Sequence, residues 1–158
     1  MIKEIIGDMV RDCEGVLCHQ VNYQGVMGGG IAYAIRKNLL SDEQYRTYQN
    51  LCYYNGDSLL GEVVYMGCDK YKTVANMFSQ NAAADANENL TNYTAMKICF
   101  RKVRAYAETQ NLPVFIPGRI GCGIAGGDRE RVKEIIYKIF HDTAIDVTIV
   151  YLDIAKDQ

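Results

Sequence analysis

The sequence predicts an α/β domain in which helices cover a mixed sheet, and three observations carry that prediction. Short apolar, β-branched runs alternate with longer stretches whose apolar residues recur at helical spacing. The 158 residues are 49% hydrophobic with only two prolines, enough for one domain with a real core and no low-complexity tract. Two glycine clusters each fall between an apolar run and a helical stretch, the usual place for a ligand loop in such folds.

The elements follow in order. Residues 2–6 read as a first strand ending at Gly7-Asp8, and residues 16–21 as a nearly continuous apolar strand. Residues 32–38 are compatible with a helix. Ser41, with Gln44 three residues on, is the pattern of a capping box, so a helix is expected from there to about Tyr54, stopping at Asn55-Gly56. Residues 62–66 and 73–78 are short and β-rich. Tyr93, Met96, Phe100, Val103 and Ala107 form one stripe of a long helix over 91–108. Pro113 precedes a strand at 114–116. Val132, Ile135, Ile136, Ile139 and Phe140 mark a helix over 128–141, and residues 146–152 close the chain as a strand. No repeat or linker interrupts this order, so residues 1–158 are expected to form one domain.

The first glycine segment runs from Asn22 through Gln24, Gly28, Gly29 and Gly30 to Ile31 and Ala32. Glycines let backbone amides approach a ligand closely, and a helix start directly behind them adds unpaired N–H groups and partial positive charge, which suits phosphate. The second runs from Arg119 to Gly127. Its Gly121, Gly123 and Gly126 match G-x-G-x-x-G, with Asp146 about twenty residues on as in a dinucleotide fingerprint. For a nicotinamide-dependent oxidoreductase the motif comes too late, and one strand–helix–strand unit alone surrounds it. A Walker loop is excluded because Gly-Lys-Ser/Thr does not occur. Two such loops suit a diphosphate held from both sides by backbone amides, with neither lysine nor metal.

Charge and cysteine usage narrow the classes further. Net charge is −2 and the pI about 5.7. The basic residues Arg101, Lys102 and Arg104, and separately Arg129, Arg131 and Lys133, read as solvated helix faces, so non-specific nucleic-acid binding is not expected. No apolar run approaches ~18 residues and the first residues lack a secretory pattern, so no membrane association and a cytoplasmic location are expected. The six cysteines show no C-x-x-C spacing and are expected to be reduced, mostly buried thiols, without a zinc site.

Asn22 followed by Gly28-Gly29-Gly30-Ile31-Ala32, then Ile120-Gly121-Cys122-Gly123-Ile124-Ala125, with Gly7-Asp8 near the start, together resemble a macrodomain over nearly the whole length. The stretch Cys18-His19-Gln20-Val21-Asn22 and the triplet Leu59-Leu60-Gly61 resemble the branch of ADP-ribose-1″-phosphate phosphatases, close to the terminal ADP-ribose protein glycohydrolase. The resemblance implies a three-layer α/β/α sandwich with a mixed central sheet and ADP-ribose or a derivative as ligand, with no cofactor.

Carried over position by position, it implies that Asp8 reads the adenine amino group, with Met9 against the base. Asn22 contacts the distal ribose, assisted by Gln24, and Gly28 to Ile31 cover that ribose and its phosphate. Ile120 is an apolar wall, and Gly121, Cys122, Gly123, Ile124 and Ala125 wrap the diphosphate. His19 matches a histidine of the phosphatase branch and is either a proton handler or a hydrogen-bonded core histidine. Asp85 lies where that branch has a second acid. The glycohydrolase lysine has no counterpart, since Ser79-Gln80-Asn81 stand there. Asp128 is either that group's catalytic aspartate or the N-cap of the last helix. The implied reaction is hydrolysis at the distal ribose, on free nucleotide or on ADP-ribosylated protein or nucleic acid. The rival is a binding module that does no chemistry.

Overall fold

The computed structural model describes residues 1–82 and 89–152. The elements are β1 (Ile2–Ile6), α1 (Met9–Asp12), β2 (Gly15–Asn22), α2 (Gly30–Asn38), α3 (Asp42–Asn55), a 3₁₀ turn (Gly56–Leu59), β3 (Val63–Asp69), β4 (Lys72–Gln80), α4 (Tyr93–Gln110), β5 (Val114–Pro117), α5 (Arg129–Phe140) and β6 (Val147–Tyr151). The strands form one sheet in the order β1-β6-β5-β2-β4-β3. β3 runs antiparallel to β4, and every other pairing is parallel, so the sheet is mixed as expected.

Alternation along β2 builds the two cores. Val16 and Cys18 face α4 and α5, packing with Met96, Cys99, Phe100, Val103, Val132 and Ile136. Leu17 and Val21 face the opposite way, towards Met9, Val10, Ile35, Tyr48 and Cys52 from α1, α2 and α3. Burial on both faces explains why β2 reads as a nearly continuous apolar run rather than an alternating one. Helices on both sides make three layers. All six cysteines are free thiols, and Cys13, Cys18, Cys52 and Cys99 are buried. No helix among the described residues is long and apolar enough to cross a membrane.

Local chemistry sets the helix ends. Ser41 and Gln44 form the reciprocal capping box, and Gly56 closes α3 at φ +53°. Helix α4 begins at Tyr93, two residues later than expected, because Asn92 caps it by accepting from the Ala95 amide. Helix α2 starts at Gly30, inside the glycine cluster. The four-residue α1 was not expected, since one turn is too short to show a period.

Candidate functional site

Because β1, β6, β5, β2 and β4 are mutually parallel, their carboxyl ends share one edge of the sheet. At the β2–β5 boundary the chain leaves in opposite directions, from β2 to α2 in one helical layer and from β5 to α5 in the other. Such a parting of loops opens a crevice at a switch point. Both glycine loops emerge there.

The first loop is built on Asn22. Its Nδ2 donates to the Val26 carbonyl at 2.9 Å, and its Oδ1 accepts from the Gln24 amide at 3.0 Å. The Tyr48 hydroxyl reaches Asn22 at both the carbonyl (2.8 Å) and Oδ1 (3.0 Å). Tyr45 donates to the Gly25 carbonyl at 3.1 Å, and Gln49 Nε2 donates to the same oxygen at 3.2 Å. One face of α3 (positions 45, 48 and 49) therefore buttresses the loop. Burial pushes the Tyr48 phenol pKa up and keeps it a donor. This buttress went unread in the sequence, although its i, i+3, i+4 spacing was there to find.

Beyond the buttress, Gly28, Gly29 and Gly30 are exposed. Gly29 occupies the N-cap of α2 with no side-chain cap, so the first amides of the helix are left open. Its φ of −146° and ψ of 159° are ordinary extended values that any residue adopts. The backbone does not demand glycine there.

In the second loop the Gly126 amide donates to the Gly123 carbonyl at 3.0 Å and the Gly127 amide to Gly121 at 2.8 Å. The amides of Gly123, Ile124 and Ala125 make no hydrogen bond to any described residue. Nothing lies within 4 Å of a Cβ built on Gly123, so neither packing nor conformation requires glycine at that point either. Ile120 is buried at the base, while Ile124 is 85% exposed at the tip. The Ile124 Cδ1 stands 3.3 Å from the place a Gly29 Cβ would occupy. The two loops thus meet at this edge of the sheet. Cys122 is half-buried, its Sγ lies 3.3 Å from the Ile120 carbonyl, and burial pushes its thiol pKa up. That is the setting of a small packing residue, not of a primed nucleophile.

The remaining expected residues are dispersed by role. Asp8 N-caps α1, accepting from the Arg11 amide at 3.1 Å, and Met9 is buried behind it at the same edge of the sheet. His19 is fully buried in mid-β2 with Nε2 2.7 Å from Asn76 Oδ1. Asn76 Nδ2 donates to the Val64 carbonyl at 2.8 Å, so its Oδ1 accepts and His19 carries its proton on Nε2. Nδ1 has no partner among the described residues. Burial lowers the imidazole pKa to about 4. Of the two readings of His19, these surroundings fit the core histidine, because no ligand atom touches a ring without exposed surface. Asp128 is exposed and N-caps α5, its Oδ1 accepting from Glu130 (3.0 Å) and Arg131 (3.3 Å). Asp85 lies outside the described residues.

No protein-family sequence model and no curated protein matches the chain. Solved structures do. A protein of unknown function from Bacteroides thetaiotaomicron is 27% identical with a TM-score of 0.84, over 96% of this chain and 98% of that one. A macrodomain protein from Streptomyces coelicolor is 25% identical with a TM-score of 0.76, again over 96% and 98%. DarTG of Thermosipho africanus, solved in complex with ADP-ribose, is 18% identical with a TM-score of 0.72, over 92% of this chain and 40% of its own.

Proposed function

The chain is a macrodomain by fold, and on that premise we propose that it binds ADP-ribose or a close derivative in the crevice between the two glycine loops. The observation that carries this reading is the meeting of Ile124 with Gly29 at the carboxyl edge of the sheet. One pyrophosphate would take its hydrogen bonds from the open amides of Gly30 and Ile31 at the start of α2 and those of Gly123, Ile124 and Ala125. Gly123 lacks any reason within the protein to be glycine, which supports a ligand's close approach there, and Gly29 is kept small by the Ile124 tip facing it. Asp8 suits the adenine end, whereas the Met9 side chain, packed in the core, does not lie against the base as expected; Asn22 with Gln24 suit the distal ribose. The ADP-ribose in the Thermosipho africanus complex supports the same ligand class.

The chemistry that suits this site is hydrolysis at the distal ribose, removing a 1″-phosphate or an attached protein or nucleic-acid group. Attack by water oriented against the ligand's own phosphates needs no metal. Of the expected proton handlers described, Asp128 fits best, since both of its cap bonds fall on Oδ1 and leave Oδ2 unspent by the cap. The sealed position of His19 favours the second reading, a binding module without turnover.

Calorimetric titration with ADP-ribose, AMP and NAD is expected to rank ADP-ribose tightest. Failure to bind ADP-ribose sinks the reading. Product release from ADP-ribose 1″-phosphate or ADP-ribosylated protein then separates the hydrolase from the module.

A further inference from the structure

A file of hydrogen bonds that ligand binding does not itself use runs beneath the second glycine loop. Ser79, fully buried near the end of β4, donates from Oγ to Gln20 Oε1 at 2.8 Å. Gln20 Nε2 donates to Thr91 Oγ1 at 3.2 Å, and Thr91 Oγ1 donates to the Gly121 carbonyl at 2.5 Å. Each donor finds one acceptor and all point the same way, so the relay ends on a single backbone oxygen. That oxygen takes its second bond from the Gly127 amide. A second prop stands beside it, where the Leu90 amide donates to the Ala125 carbonyl at 2.7 Å.

The fit is close. Gly121 adopts φ +70°, and a Cβ there would lie 2.9 Å from Met96 Cε, 3.0 Å from Thr91 Oγ1 and 3.1 Å from Gln20 Oε1. Thr91 is 5% exposed, so its hydroxyl has the relay for partners in place of water. Buried polar groups arranged this way hold one geometry only, since any slippage leaves a donor or acceptor unpaired. Apolar packing would fill the same volume without fixing the direction of the Gly121 carbonyl.

We infer that Gln20, Ser79 and Thr91 are positioning residues that preset the Gly123, Ile124 and Ala125 amides for the phosphate oxygens. The relay starts on β2 and β4 and ends on the loop after β5. It therefore locks the second glycine loop to the strand whose last residue, Asn22, builds the first. This inference rests on reading the loops as a diphosphate cradle. Its energetic meaning is preorganisation: a loop already shaped spends less of the binding energy on ordering itself.

The test uses Thr91→Val, which keeps shape and removes the hydroxyl, and Thr91→Ser, which keeps the hydroxyl. In the free protein, the ¹⁵N–¹H resonances of Gly123 and Ile124 are expected to shift or broaden in Thr91→Val and to return in Thr91→Ser. ADP-ribose affinity is expected to weaken about ten-fold in Thr91→Val, the worth of one ordinary hydrogen bond, with Thr91→Ser close to the parent. Ser79→Ala, one link further back, is expected to give the same pattern more weakly and serves if Thr91→Val does not fold. Unmoved Gly123 and Ile124 resonances in a folded relay variant overturn the inference, whether or not ADP-ribose binds. An unchanged affinity in a protein that does bind ADP-ribose overturns it equally. A parent protein that ignores ADP-ribose refutes the ligand instead, and the resonances of the free protein still decide the relay.

Discussion

At the scale of single residues, His19 shows how a motif's chemistry yields to its surroundings. Its ring is neutral, donates from Nε2 to Asn76 and leaves Nδ1 in the core without a partner among the described residues. Protonating Nδ1 places an unpaired charge there, which is why the pKa falls to about 4 from its ordinary 6.5. The unfolded chain takes up this proton as pH drops below about 6.5, while the folded chain refuses it until about 4. Stability contributed by His19 is therefore full above that window, lost as pH falls through it, and flat below. The span corresponds to on the order of 3 kcal/mol. Urea midpoints at pH 7 and pH 4.5 should move together in His19→Leu far more than in the parent. Equal acid sensitivity in both proteins would refute this account of His19.

Among the elements, α3 and α5 hold the loops by their ends and faces. Tyr48→Phe removes the hydroxyl from Asn22 without changing the ring that stacks on Phe78. A loss of about 1–2 kcal/mol of stability is expected, because two Asn22 oxygens lose a buried donor. ADP-ribose affinity should fall with it, as the first loop loosens. Calorimetry beside urea denaturation checks this, and an unaltered affinity in a destabilised variant would show that α3 does not shape the loop. For α5, Asp128→Asn keeps an N-cap acceptor but removes the carboxylate, whereas Asp128→Ala removes both at a cost of about 1 kcal/mol. If Asp128 handles a proton, Asn abolishes turnover at nearly native stability. If it only caps, Asn is silent and only Ala lowers the melting temperature.

For the whole molecule, the sequence made the α/β class, the order of long elements and both glycine loops legible, because each rests on local pattern. Helical stripes such as Met96, Phe100 and Val103, and caps such as Ser41, speak through their near neighbours in the chain. The relay from Ser79 to Gly121 and the α3 buttress joined residues of different strands and helices, which spacing alone does not bring together. Sequence placed Gly29 and Gly123 in loops; the strand order brings those loops to one edge of the sheet. That geometry makes the last prediction sharp. Gly29 is exposed and extended, so the backbone accepts Val there and Gly29→Val should still fold, at a cost of about 1 kcal/mol for a poorer N-cap and a displaced Ile124 tip. The added methyls crowd the meeting point of the two loops, beside the amides proposed to hold the diphosphate. ADP-ribose at a hundred times its dissociation constant should stabilise the parent by about 2.7 kcal/mol, and Gly29→Val not at all. A thermal-shift titration of both proteins decides it: equal stabilisation would mean that ADP-ribose binds away from the meeting point of the loops.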